Sequence, residues 1–146
     1  MMLERINEIR AGHGLPPLSE NAMLTQAAQG HAADLSRNDW LIEQRRWHDG
    51  SDGSTIGARL TRAGYRAARW SEITGHGFGG DESRMMDWWL ASPVHRDAIL
   101  SPDVTEMGSV RLAAPGSPWG FYWVVDFGRP VAAPVKKACP CCGRGY

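Results

Sequence analysis

The end of the chain constrains the fold most. "VTEMGSVRLAA" and "GFYWVVDFG" are two runs rich in β-branched and aromatic residues, separated by "APGSPWG". Such residues suit a pleated, half-buried surface, and the Pro and Gly between them reverse the chain. The pattern predicts two antiparallel strands forming a hairpin at the end of a domain.

What precedes the hairpin is mostly helical in pattern. Met2, Ile6 and Ile9 recur at helical spacing until Gly12, Gly14, Pro16 and Pro17 stop the helix. A longer helix is expected in "LSENAMLTQAAQGHAADLSRN", with Ser19 as its N-cap and Leu24, Ala28, His31 and Leu35 on one face. His31 on that apolar face reads as a core histidine bonded to backbone, and His13 as a loop residue. Beyond the Asp49-Gly50 and Asp52-Gly53 turns, Ser54 or Thr55 caps a short helix running to Ala63. "RWSEITG" then alternates as a short strand, "GHGFGGDE" is expected as a flexible, glycine-rich loop, and Met85, Met86, Trp89 and Leu90 mark the apolar face of a helix. The glycines do not make a phosphate loop, because they lack a Lys-Ser/Thr ending and the G-x-G-x-x-G register. Helices before and between strands, closed by a hairpin, predict an α+β fold or an α/β/α sandwich around a small sheet.

Composition sets the outer limits. A chain of 146 residues suits one domain. Sixteen basic residues balance sixteen acidic ones, which disfavours nucleic acid or an anionic membrane as partner. "MMLERINEIR" is already amphipathic and charged, and no apolar run is long enough for a signal peptide or a transmembrane segment. Pro130 and Pro134 mark the change from a domain at 1–130 to a tail at 131–146, which is expected to be flexible. Cys139, Cys141 and Cys142 all lie in that tail, so the domain folds without disulfides; their odd number fits one local bridge with a spare thiol, or a partial metal knuckle.

Four residues near turns or strand ends are candidates for chemistry: His48, Glu72, His95 and Glu106. No local rule joins them, and each has a structural reading. His95 sits in "SPVHR", good helix-start grammar with Ser92 as cap and Pro93 at the first position. Glu72 reads as a strand-edge carboxylate, Glu106 as a partner for Arg111 or another Arg on a solvated face, and His48 as a loop histidine.

Six blocks, taken in order, tie these residues together. "INEIRAGHGLPPLSENAMLTQAAQGHAADL", "WHDGSDGSTIGARLTRAGY", "WSEITG", "MMDWWLASPVHRDAIL", "VTEMGSV" and "YWVVDFG" resemble the CAP superfamily, or SCP domain, over residues 3 to 129. The resemblance implies a three-layer α/β/α sandwich with a small, mainly antiparallel central sheet, and a cleft lined by two His and two Glu. Carried over position by position, these are His48, Glu72, His95 and Glu106. Ser71-Glu72-Ile73 departs from the family's usual Gly-Glu-Asn, and Val94 replaces the usual Gly before the second histidine. His76, close to Glu72 in sequence, is a further cleft candidate.

Such a tetrad suits Zn²⁺ or another divalent metal, with two imidazoles as ligands and two carboxylates completing the shell through water or orienting the rings. Two classes of function follow. As a binding module, the chain would take a small-molecule or lipid-like ligand, such as a sterol, in the cleft. As a metal-dependent hydrolase, it would use metal-bound water with Glu72 or Glu106 as general base. The binding module is favoured, because a third strong zinc ligand and a Ser or Cys nucleophile paired with a base are both missing. Most of the seven tryptophans, including Trp88 or Trp89, read as core. A monomer or weak dimer is expected, and although the family is usually secreted, this sequence carries no leader from which to infer the compartment.

Overall fold

The hairpin forms as expected. In this computed structural model, which describes residues 1–133, β3 (Glu106–Ala113) and β4 (Phe121–Pro130) pair antiparallel with Ala113 opposite Phe121. Residues 122 to 128 of β4 are all buried, so this strand needs cover on both faces and both edges. It has that cover: β2 (Ala67–His76) pairs antiparallel on its other side, and β1 (Ser19–Glu20) adds a short parallel edge to β3. The sheet order is β1-β3-β4-β2.

Alternation along β4 divides the helices into two layers. Trp123, Val125 and Phe127, with Ile73, pack on α1 (Met2–Gly12), α5 (Glu82–Ala91) and α6 (Pro93–Ile99) through Ile6, Met85, Met86, Trp89 and Ile99. Tyr122 and Val124 pack on Ala28, Ala32 and Leu35 of α2 (Ala22–Arg37) and on Leu41 and Ile42 of α3 (Trp40–Glu43). On this side Leu60 of α4 (Ile56–Arg62) joins Leu24, Ala27 and Tyr65 in a smaller cluster. The result is an α+β fold, a helix layer on each face of a small and mainly antiparallel sheet.

Three local expectations are corrected. Ser19 is not the cap of the long helix: its backbone N–H donates to Thr105 in the pairing with β3. The cap is Asn21, two residues on, whose side chain accepts from the N–H groups of Met23 and Leu24. Ser92 makes no side-chain cap bond, so α6 starts on Pro93 alone, whose fixed φ and missing N–H suit that position. The glycine loop is also more ordered than a flexible loop. Gly77, Phe78, Gly79 and Gly80 all have positive φ (83°, 52°, 60° and 79°), so the loop makes a left-handed turn that carries one aromatic ring. Cys139, Cys141, Cys142 and the tail from residue 134 lie outside the described residues.

Arg10, 1 % exposed, locks the two ends of one helix layer together. It donates to the carbonyls of Pro16, Ile99 and Ser101, fixing the C-terminal end of α6 against α1. Among the described residues no carboxylate pairs with it, and burial lowers its pKa. On the other face the α2 backbone lies directly on β3 at Gly108, where an added Cβ would meet the backbone of Leu24 and Thr25. Gly108→Ala is therefore expected to cost about 3 kcal/mol or more in urea unfolding, because backbone cannot give way as a side chain can. Gly12→Ala, with nothing within 4 Å of its added Cβ, should change stability by less than about 1 kcal/mol.

Candidate functional site

Glu72 lies on β2 opposite Asp126 of β4, and its side chain is fully buried. Arg59 of α4 meets it with one guanidinium nitrogen at 3.1 and 2.9 Å from the two carboxylate oxygens. His48 donates from Nδ1 to Glu72 Oε1 at 2.9 Å, and His31 Nε2 lies 3.6 Å from the same oxygen. These residues come from four parts of the chain, which only the fold brings together.

The loop that presents His48 is tied down on both sides of the ring. His31 Nε2 donates to the Trp47 carbonyl at 2.6 Å, and Arg59 donates to the His48 carbonyl at 3.0 Å and the Ser54 carbonyl at 3.2 Å. Arg45, just upstream, has φ 59°, a left-handed conformation that costs energy for a non-glycine residue and marks a fixed turn. His48 is therefore held by its backbone and by its Nδ1. With that nitrogen protonated toward Glu72, the neutral ring keeps its lone pair on Nε2.

The charges of this cluster are sorted by burial. Burial works to raise the Glu72 pKa, but the bond from His48, the charge that His31 takes on only in acid, the bond from Asp126 and the charge of Arg59 outweigh it and hold the carboxyl at about 2. Arg59 is the permanent cation among these, since burial lowers the His31 pKa and keeps that ring neutral near pH 7. Asp126 responds in the opposite sense: burial, and then the negative charge of Glu72, raise its pKa well above the usual carboxylate range. One carboxylate keeps its charge and the other keeps its proton.

Beyond His48 opens a cavity of about 610 Å³, lined by Trp47, His48, Thr74, Gly75, His76, Gly77, Phe78, Trp88, His95 and Trp119. His95, on α6, lies with its ring 5.0 Å from that of Trp88, and its Nδ1 is buried with no hydrogen-bond partner among the described residues. Burial lowers the His95 pKa first, and the nearby His48 lowers it further. His76 stacks on Trp119 at 4.3 Å between ring centroids. Phe78 is held in the wall by Trp88 at 6.2 Å and by Arg84 over its face.

Of the four residues carried over from the resemblance, the structure brings together three. His48 and His95 line one cavity, and Glu72 lies behind His48. Glu106 is elsewhere. It begins β3 opposite Gly128, while Glu72 is in register with Asp126 and so with Gly108. Two strand spacings and two residues along the ladder separate the carboxylate backbones by about 12 Å. Glu106 Oε2 accepts from Asn21, the α2 cap, at 2.6 Å, and its charge acts on Tyr65 instead of on the cleft. Nor does it pair with Arg111, which donates to the Gly80 carbonyl.

Other residues take roles that sequence reasoning missed. Arg59 is the central cation, and its one signal was a charged residue three positions after Ile56 on the buried side of α4. His31 is the backbone-bonded core histidine expected, yet it also touches Glu72. The tryptophans are mostly not core: Trp89 and Trp123 are fully buried, whereas Trp47, Trp70, Trp88 and Trp119 are 36 to 50 % exposed. Ile73, where the family usually has Asn, faces the core on the sheet side away from Glu72, and Val94 is 77 % exposed beside His95.

A helix layer on each face of a small, mainly antiparallel sheet defines the fold, and His48 and His95 line one of its cavities. Residues 3–127 match the CAP or cysteine-rich secretory protein family, and the chain belongs to it. An outer surface protein of Borrelia burgdorferi is similar over 89 % of this chain and 90 % of its own, with 25 % identity and a TM-score of 0.78. An extracellular SCP-domain protein of Bacillus anthracis is similar over 88 % of this chain but 39 % of its own, at 24 % identity and a TM-score of 0.74. A cysteine-rich secretory protein of Staphylococcus aureus is similar over 88 % and 37 %, at 20 % identity and a TM-score of 0.66. No curated protein matches the sequence.

The donor set tests the implied metal. Two imidazoles line the cavity, Glu72 has both oxygens engaged by Arg59 and His48, and Glu106 is remote. Among the described residues no group of three or more His, Cys, Asp or Glu side chains is arranged to hold a metal ion. The residues therefore fit only a weak two-imidazole site with Glu72 as the support of His48.

Glu72→Gln should destabilise the protein by about 3 to 5 kcal/mol in denaturant unfolding at pH 7, because it leaves the Arg59 charge buried without its partner. Asp126→Asn should leave stability unchanged or raise it, since Asn replaces a group already held neutral. In that Asp126→Asn background the pH dependence has a definite sign. His31, His76 and His95 have native pKa values below the ordinary 6.5, so the unfolded chain takes up protons first as pH falls. The unfolding temperature should drop between pH 7 and pH 5. Glu72 adds its own loss only below its ordinary value of 4.5, as pH falls toward about 2.

Proposed function

We propose that this chain is a binding module whose aromatic cleft takes a small or lipid-like ligand, with His48 and His95 able to hold a divalent metal ion weakly at its wall. The carrying observation is His48: its Nδ1–H donates to Glu72, leaving the Nε2 lone pair available as a ligand in a cavity that His95 also lines. The rings of Trp47, Phe78, Trp88 and Trp119 supply apolar area, and the cavity is of the size that small ligands occupy. Bound there, a metal ion would offer a Lewis-acidic centre to a ligand's oxygen or nitrogen atom. The chain's own part is to orient His48 through Glu72, to hold that carboxylate through Arg59, and to exclude water with the aromatic wall.

Hydrolysis is the second reading, and the positions of the carboxylates weigh against it. A general base needs a pKa near the working pH and reach to the attacking water. Glu72 is buried, paired to Arg59 and held at about 2, while Glu106 is taken by Asn21.

Calorimetric titration with Zn²⁺ separates the parts of this reading. The His48→Ala/His95→Ala protein should lose measurable affinity, and Glu72→Gln should weaken it by about ten- to a hundredfold under conditions where the variant is folded. Equal affinity in the double variant removes the metal. A fluorescent sterol or fatty acid should bind the wild type and bind Trp88→Ala and Trp119→Ala more weakly. Equal binding to all three would place that ligand outside the cleft.

A further inference from the structure

The aromatic cleft is lined without a fixed charge. None of its lining residues is Asp, Glu, Lys or Arg: around Trp47, Phe78, Trp88 and Trp119 stand His48, His76, His95, Thr74 and two glycines. An anion entering it would lose its water and meet no counter-ion. A cation would look to the ring faces, but Trp88 and Trp119 each have an imidazole against them, and Arg84 already lies over Phe78. The lining therefore favours an uncharged molecule.

Its polarity lies mainly on the imidazoles, and two of these are fixed in opposite senses. His48 gives its Nδ1 proton to Glu72, so its Nε2 accepts. His95 is fixed from the other side of the ring. Its Nδ1 is sealed from solvent and has no partner among the described residues, so a proton there would be a buried donor without an acceptor, the orphan that folded proteins tolerate least. The neutral ring keeps its proton on Nε2, the nitrogen left to the cleft. A metal ion held by both rings would need that proton on Nδ1 instead, which agrees with a weak metal site.

We infer that the ligand of this cleft is an uncharged, ring-containing molecule with one group that donates to His48 and accepts from His95, a hydroxyl or a carboxamide. The inference rests on the reading of the cleft as a ligand site and narrows it: an apolar alcohol or amide is held, and an apolar acid is rejected. Glu72 strengthens the acceptor from behind His48 without lining the cleft itself. The aromatic walls supply flat apolar area for the ring system, in a cavity of about 610 Å³.

Derivatives of one ring test this, titrated calorimetrically near neutral pH in EDTA, with NMR shifts of ¹⁵N-labelled protein to locate them. The probes are 2-naphthol and 2-naphthamide, which donate and accept, 2-methoxynaphthalene, which only accepts, and the charged 2-naphthoate and 2-naphthylmethylammonium. At least one of the first two should bind about tenfold more tightly than 2-methoxynaphthalene, the effect of one hydrogen bond, and both charged probes more weakly than it. His48→Phe should abolish that tenfold preference while 2-methoxynaphthalene still binds. A measurement that needs no variant is the long-range ¹H–¹⁵N spectrum of the wild type, which should show the His95 proton on Nε2. Equal binding of the three uncharged probes leaves an apolar cleft standing and overturns this inference. So do tightest binding by a charged probe, shifts that miss His48 and His95, or a His95 proton on Nδ1. Binding by none of the probes overturns the aromatic ligand site as well.

Discussion

The buried carboxylate of Glu72 is the interaction on which the site depends. A lone carboxylate at that depth would take up a proton. It stays ionised because Arg59 lies 2.9 Å away and His48 donates to it, and because Asp126, directly across the strand pair, gives up its own charge. The same Arg59 holds the His48 and Ser54 carbonyls, so charge balance and loop position come from one side chain. Removing it would loosen the loop and strand the carboxylate together.

From this centre the structure works outward in two directions. Toward α6, His48 is presented to an aromatic cavity whose far wall carries His95, itself fixed by the helix that Arg10 ties to α1. Toward α2 and α4, His31 and Arg59 line a second cavity, with Asp34, Arg37, Asp52 and Arg62. One buried ion pair therefore backs two surfaces of opposite character, one aromatic with imidazoles and one polar with charges of both signs. Beside this centre α2 is pressed onto β3, where Gly108 leaves no room for a side chain.

How much of this was legible in the sequence varies with the range of the interaction. The hairpin, the apolar face of α2 and the start of α6 at Pro93 are local patterns, and they formed as the residues indicate. His48, Glu72 and His95 were found through the order of whole blocks and not through spacing. Glu106 shows the limit: its segment is recognisable, but whether its carboxylate faces a cleft depends on register across two strand pairs, and the register places it beside Asn21. Asn21 displaced Ser19 as the cap for a similar reason, a two-residue parallel pairing with β3 that leaves no periodicity to read. Arg59 gave almost no signal, because an arginine on a short helix looks alike whether it faces water or a buried acid. The exposed tryptophans were hidden equally well, since aromatic residues next to an apolar face read as core until the cleft is seen.

The account rests on Glu72 fixing the His48 ring, and the protonation of that ring is directly measurable. Long-range ¹H–¹⁵N correlation of the histidine side chains above the titration range reports which nitrogen carries the proton. The structure predicts Nδ1–H for His48, with Nε2 unprotonated. A His48 signal showing the proton on Nε2, with Nδ1 bare, would mean that Glu72 does not hold the ring, and would contradict the account at its centre.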